Sequence, residues 1–246
     1  MRLDRLLSAF SLAAAILVSG VAAPASAAPK RIVIVRHGEK QTTFKLCKVG
    51  ALRSHAIANQ YLGPQALSSP RSRAILDGQT PAAVFVITLH TLEFAVPLAN
   101  ALGQPVIAYS VLPFSPKTGP YSEDAQLNRH NREAVAQIFS DPQWNGKTLV
   151  LMWEHRHIAD AALEHEFPGE KVTLRQLLGL DAFKDVPTTW PETNYDYFWV
   201  VDFDQTTGKA TSFRAVKQVY TGKFAGLPEN DWDTPEGLPK EAHCIP

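Results

Sequence analysis

The chain predicts an α/β fold, a three-layer sandwich with a mostly parallel central sheet and helices on both faces. Three observations predict it. Continuous apolar runs at Ile32–Val35, Ala83–Thr88 and Thr148–Trp153 read as strands covered on both sides. Helical spacing lies between them, and alternating strands and helices define a doubly covered parallel sheet. Polar residues then gather where the runs end: Arg36-His37 after the first, His90 after the second and Glu154-His155 after the third. Sheets of this kind bind ligands at the carboxyl ends of their strands.

The elements follow in chain order. Arg2 and Arg5, the apolar stretch Leu6–Val18 and the small residues Ala25-Ser26-Ala27 have the pattern of a secretory signal peptide cut after Ala27. The apolar stretch is shorter than the roughly 20 residues that span a bilayer. Residues 1–27 are therefore expected to be a leader and 28–246 a single domain. The protein is expected to be periplasmic or secreted, with no stable membrane association once the leader is removed. Gly50–Leu62 reads as a helix with Val49, Leu52 and Ala56 on one side, and Gly63–Pro81 as a loop-like insertion containing Pro64, Pro70 and Gly78.

After the second strand, Leu92, Ala95, Val96, Ala99 and Leu102 share a helical face. Pro97 argues against an unbroken helix from Thr91. A short strand at Val106–Tyr109 precedes a Pro/Gly/Ser loop, Pro113–Glu123, placed to overhang a site. Asp124–Phe139 reads as a polar, exposed helix and Ile158–Phe167 as another helix. Tyr197–Phe203 and Ser212–Tyr220 flank the hairpin signal Thr206-Thr207-Gly208. The tail from Gly226 is expected to be irregular and to lie on the surface.

Forty-five per cent apolar residues supply a substantial core, and Lys+Arg equals Asp+Glu at 24 each. No global field selects nucleic acid or a membrane surface, so any anion site must be local. Export would carry Cys47 and Cys244 into an oxidising compartment. A disulfide and two separate thiols both remain open, because spacing in sequence does not show proximity.

The stretch "RIVIVRHGEK" (31–40) sets two cationic side chains on the lip of a buried strand, where they need a carboxylate or an anionic ligand. Its "VIVRHGEK" resembles the opening motif of the histidine phosphatase superfamily, which includes phosphoglycerate mutases and histidine acid phosphatases. "LVLMWEHRHI" (149–158) resembles that family's second histidine, and similarity in order runs from Arg31 to about Tyr220. The resemblance implies His37 as a nucleophile that forms a phosphohistidine, Arg36 as a donor fork for phosphate oxygens and His155 as a second donor. It also implies no cofactor, no metal, no nucleic acid, and a small phosphorylated substrate or phosphate as partner.

The chemistry is coherent, since neutral imidazole is a competent nucleophile near pH 7 and guanidinium matches phosphate oxygens in pairs. Gly38 would let the backbone pass close to the bound group, and a helix beginning near His155 would add its positive end. Simpler alternatives stand beside these roles. Arg36 could pair with Glu39, and His155 with His157 could form a metal pair, although no third ligand accompanies them.

The family also places a second arginine after the second strand, and here the candidates diverge. "SSPRSRA" (68–74) matches the wording and offers Arg73, whereas strand, turn and helix point to His90. Arg53 on the first helix is a third possibility. For the leaving-group acid, Glu154 is nearest in sequence, but adjacent strand residues point to opposite faces. Glu123 or Asp124 could instead descend from the loop. The expectation is an exported phosphomonoester hydrolase working through phospho-His37. The alternative is a weak or inactive relative that binds a phosphorylated or anionic ligand.

Overall fold

The computed structural model describes residues 28–110, 116–234, 237–238 and 242–245. The expected leader, 1–27, and part of the expected overhanging loop, 111–115, lie outside the described residues.

Arg31–Arg36 forms β1, buried along its whole length. Alternate side chains feed two cores. Ile32 and Ile34 pack on one face with Ile138, Leu174 and Trp199, while Val33 and Val35 pack on the other with Ile57, Phe94 and Leu98. This two-sided burial is what a continuous apolar run signals. A small hairpin follows, β2 (Lys40–Thr42) and β3 (Lys45–Leu46), leading to α1 (Lys48–Ile57) and one π turn through Leu62.

The stretch expected to be a loop contains α2 (Pro70–Leu76), capped by Ser69 and closed by Asp77 in the left-handed region at φ 52°. A proline at the first helical position and a side-chain cap are sufficient to start a helix even this short. Next come β4 (Ala83–Val86), α3 (Leu89–Leu102) and β5 (Val106–Ala108). The helix runs unbroken through Pro97, contrary to the sequence expectation. Thr88 and Thr91 form a reciprocal capping box that fixes its start.

The remaining elements are α4 (Glu123–Ser140), β6 (Thr148–Trp153), α5 (His155–Ile158), α6 (Ala161–Glu166), α7 (Leu174–Leu177), β7 (Tyr197–Phe203) and β8 (Ala210–Lys217). The polar α4 is not simply exposed, because Leu127, Ala134 and Ile138 press into the core.

The sheet order is β5-β4-β6-β1-β7-β8. The first four are parallel, and the β7–β8 hairpin adds antiparallel to β1. With α1 to α3 on one face and α4 and α7 on the other, the predicted three-layer sandwich is the observed one. The carboxyl ends of β1, β4 and β6 open on the same edge and carry Arg36-His37, His90 and Glu154-His155.

The tail is tied down by a Cys47–Cys244 disulfide and by the Ile245 amide, which donates to the Lys40 carbonyl at 2.7 Å. The closed loop is long, with a sequence separation of 197. Among the described residues, no helix is long and apolar enough to cross a membrane.

Candidate active site

The β1 ladder continues into the site. The His37 amide donates to the Trp153 carbonyl at 3.1 Å, which holds the ends of β1 and β6 together. At Gly38 a Cβ would lie 2.8 Å from the Gly50 backbone and 2.8 Å from Phe94, and at Gly50 it would lie 2.2 Å from the Glu39 carbonyl. These glycines are therefore required so that α1 can pack against the turn.

His37 is fully buried, with Nδ1 2.7 Å from the Gly38 carbonyl. A ring nitrogen facing a carbonyl must carry the proton, so the lone pair belongs to Nε2. Nε2 lies 3.2 Å from Glu154 Oε1, the same oxygen that lies 2.8 Å from His155 Nδ1. The other oxygen, Oε2, sits 2.7 Å from His90 Nε2, and His90 Nδ1 donates to the Thr43 carbonyl at 3.0 Å. The His37 and His90 rings meet edge to face with centroids 4.4 Å apart. Three histidines thus surround one carboxylate.

The sequence expectation that Glu154 points away from His155 fails for a local reason. The strand stops at Trp153, Glu154 caps the one-turn α5 with ψ 130°, and alternation ends there. The same turn sends His157 elsewhere, to Asn128 Oδ1 at 3.0 Å, so the His155/His157 pair is not formed. Four residues of helix also make a weak dipole.

Arg36 is fully buried and its Nη1 donates to the carbonyls of Pro191, Glu192 and Asn194. Its guanidinium lies 3.8 Å from the centroid of Tyr195. Glu39 is not its partner in these contacts. Instead Glu39 accepts from Arg53, which also reaches Asp196. The Nε and Nη2 of Arg36 have no hydrogen-bond partner among the described residues. A buried guanidinium with two idle donors is costly unless an anion completes it.

Of the three candidates for the second arginine position, only His90 is brought to the pocket. Arg53 is wholly buried between Glu39 and Asp196, each at 2.6 Å. It serves the packing of α1 against the chain entering β7. Arg73 is exposed on α2, beside Ile75, whose carbonyl takes a bond from Arg31 at the start of β1. It therefore stands at the opposite end of the strand from His37.

The cleft in front of His90, Glu154 and His155 measures about 490 Å³, and the fully buried His37 and Arg36 are not part of its lining. Its rim includes four residues that sequence reasoning did not assign, Lys40, Lys117, Arg156 and Thr43, and also Glu123. Tyr195 was missed as well. Its only sequence signal is its place in the polar segment that enters β7.

Burial pushes the His37, His155 and His157 imidazoles down, the last to about 4. Burial alone would raise Glu154, but His37 and the hydrogen bonds from His155, His37 and His90 outweigh it and hold this carboxyl well below the usual range. Glu123 moves the other way, raised by burial and then by the nearby Glu154 and Asp124 carboxylates. Two carboxyls in one cleft thus have opposite tendencies, which separates an anion from a proton carrier. His37 Nε2, Glu154 and His155 Nδ1 are also close enough to share a cation, with donor atoms all within 4.8 Å of one another.

No protein-family model matches the chain, and no curated protein matches it. Solved structures do. A mycobacterial glucosyl-3-phosphoglycerate phosphatase is similar over 77% of this chain and 98% of its own, at 15% identity and a TM-score of 0.42. An alpha-ribazole phosphatase from Shigella flexneri is similar over 76% of this chain and 96% of its own, at 12% identity and a TM-score of 0.40.

Proposed function

We propose that this protein hydrolyses phosphomonoesters through a phosphohistidine at His37. The observation that carries the reading is the pairing at the lip of β1. His37 Nδ1 is locked to the Gly38 carbonyl, which commits Nε2 as the nucleophile, beside a buried Arg36 with two unused donors. In this reading Nε2 attacks phosphorus as the ester P–O bond breaks, and the leaving oxygen takes a proton from Glu123. Water then attacks phosphorus as the P–N bond breaks and gives its proton to Glu123, which frees His37 and inorganic phosphate.

Arg36 and His155 support the non-bridging oxygens, with Lys40 and Lys117 supplying charge from the rim. Glu154 is a poor proton donor because it is held ionised, and it has to turn aside when a phosphoryl group enters. The Cys47–Cys244 disulfide fits the oxidising compartment expected from residues 1–27.

A second reading, a pocket that holds a phosphorylated or anionic ligand without efficient turnover, is favoured by one observation. His90 stands where a second guanidinium is expected, and neither Arg53 nor Arg73 replaces it. Turnover of an aryl phosphate decides between them. Phosphate release by the wild type that is lost in His37→Ala supports the enzyme. Vanadate or phosphate binding without release in the wild type supports the binder.

A further inference from the structure

We propose that the same pocket, when no phosphoryl group is present, binds one divalent cation of the zinc type through His37 Nε2, His155 Nδ1 and the Glu154 carboxylate. His37 Nδ1 faces the Gly38 carbonyl at 2.7 Å and His90 Nδ1 faces the Thr43 carbonyl at 3.0 Å. Anchoring one imidazole nitrogen on a backbone carbonyl is how proteins present the other nitrogen to a metal. Both Nε2 atoms then face the Glu154 carboxylate, at 3.2 Å from His37 and 2.7 Å from His90. A cation bound there takes the place of the protons that now join the imidazoles of His37 and His155 to the carboxylate.

Two of the three donor spacings approach those of a small tetrahedral ion. Ligands 2.0–2.1 Å from zinc lie about 3.3 Å from one another. Here Glu154 Oε1 is 3.2 Å from His37 Nε2 and 2.8 Å from His155 Nδ1, and because the three donors spread over as much as 4.8 Å, the two imidazoles must draw together to grip one ion. His90, at 2.7 Å from Oε2, holds the second carboxylate oxygen and fixes the plane of the group. Two imidazoles and one carboxylate form a donor set that selects zinc, cobalt or copper over calcium and magnesium.

Arg36 and Lys40 oppose a dication, so the site is expected to be weaker than a closed structural zinc site. Occupancy engages the His37 lone pair, so the metal-bound form cannot attack phosphorus. That consequence rests on the phosphohistidine reading, whereas the binding itself does not.

The test is a titration of the chelator-treated full chain with Co²⁺ at neutral pH in phosphate-free buffer, followed by visible absorption. The expected result is a tetrahedral cobalt band that saturates at one equivalent and is quenched by Zn²⁺. His155→Ala and Glu154→Gln remove it, His90→Ala weakens binding about 10–100-fold, and His130→Gln on the exposed face of α4 leaves it unchanged. Circular dichroism confirms that each variant is folded, and His155→Gln replaces any variant that is not. Absence of the band in the wild type at excess Co²⁺, or its persistence in folded Glu154→Gln and His155 variants, overturns the proposal. Because phosphate is absent throughout, failure here leaves the phosphohistidine reading untouched, and loss of phosphatase activity leaves this site untouched.

Discussion

Glu154 Oε1 lies 3.2 Å from His37 Nε2, the nitrogen proposed to attack phosphorus. The carboxylate therefore occupies the approach that a phosphoryl oxygen would take. Its negative charge, held by three histidines, resists the entry of an anion until it turns aside. Glu154→Gln keeps the shape and removes the charge, so vanadate is expected to bind roughly tenfold more tightly, the scale of one partly screened charge. Isothermal titration measures this, and weaker vanadate binding would remove Glu154 from the role of gate. The same substitution moves anion and cation affinity in opposite directions.

His90 supplies one donor where a guanidinium would supply a fork. His90→Arg is expected to raise kcat/KM for an aryl phosphate several-fold, because a single charge-stabilising donor is worth about 2–4 kcal/mol in such sites and crowding against Glu154 offsets part of it. Steady-state kinetics decide the matter. An unchanged rate would place the limiting charge at Lys40 or Lys117.

Arg53 is a structural residue in this account. Removing it as Arg53→Met strands Glu39 and Asp196 in the interior, and the expected loss of stability is about 3–5 kcal/mol. Arg53→Lys is expected to recover only part of it, since a point charge cannot serve two carboxylates in fixed directions. Urea denaturation of the two variants measures both. A loss under 1 kcal/mol for Arg53→Met would mean that the network is not stabilising.

Legibility in the sequence followed the type of burial. β1, β6 and β7 were readable to within a residue or two because continuous apolar runs have few other uses. The site histidines were readable because they sit where those runs stop. The face of α1 was not. Apolar spacing selected Leu52, which is 41% exposed, whereas the helix buries Arg53. Periodicity cannot see a buried cation whose partners, Glu39 and Asp196, lie on two other segments. Glu154 was misread because alternation was extended one residue past the end of β6. Tyr195 and the carbonyls of Pro191, Glu192 and Asn194 carry no motif at all, since a backbone acceptor is indifferent to side-chain identity.

At the amino end of β1, Arg31 bonds Asp202 at 2.6 Å. Burial alone would raise the Asp202 carboxyl, but hydrogen bonds from Arg31 and Ser212 outweigh it and lower it. A carboxyl whose folded pKa is depressed contributes stability that is present above its unfolded pKa and lost as pH falls through the folded value. Asp202→Asn is therefore expected to be less stable than wild type at neutral pH, with the gap closing below about pH 4, the unfolded value of an aspartate. Thermal melts from roughly pH 2.5 to 7, which brackets ordinary carboxylate titration, measure it. A gap independent of pH would show that Asp202 acts by shape alone.

The central claim is that His37 Nε2 becomes covalently bonded to phosphorus. Rapid alkaline quenching of the wild type with an aryl phosphate, followed by peptide mass spectrometry, tests it most directly. The account predicts a phosphoryl group on the peptide containing His37, acid-labile and base-stable, and absent from His37→Ala. Phosphate release by the wild type with no phosphoryl group on His37 at any quench time would contradict it.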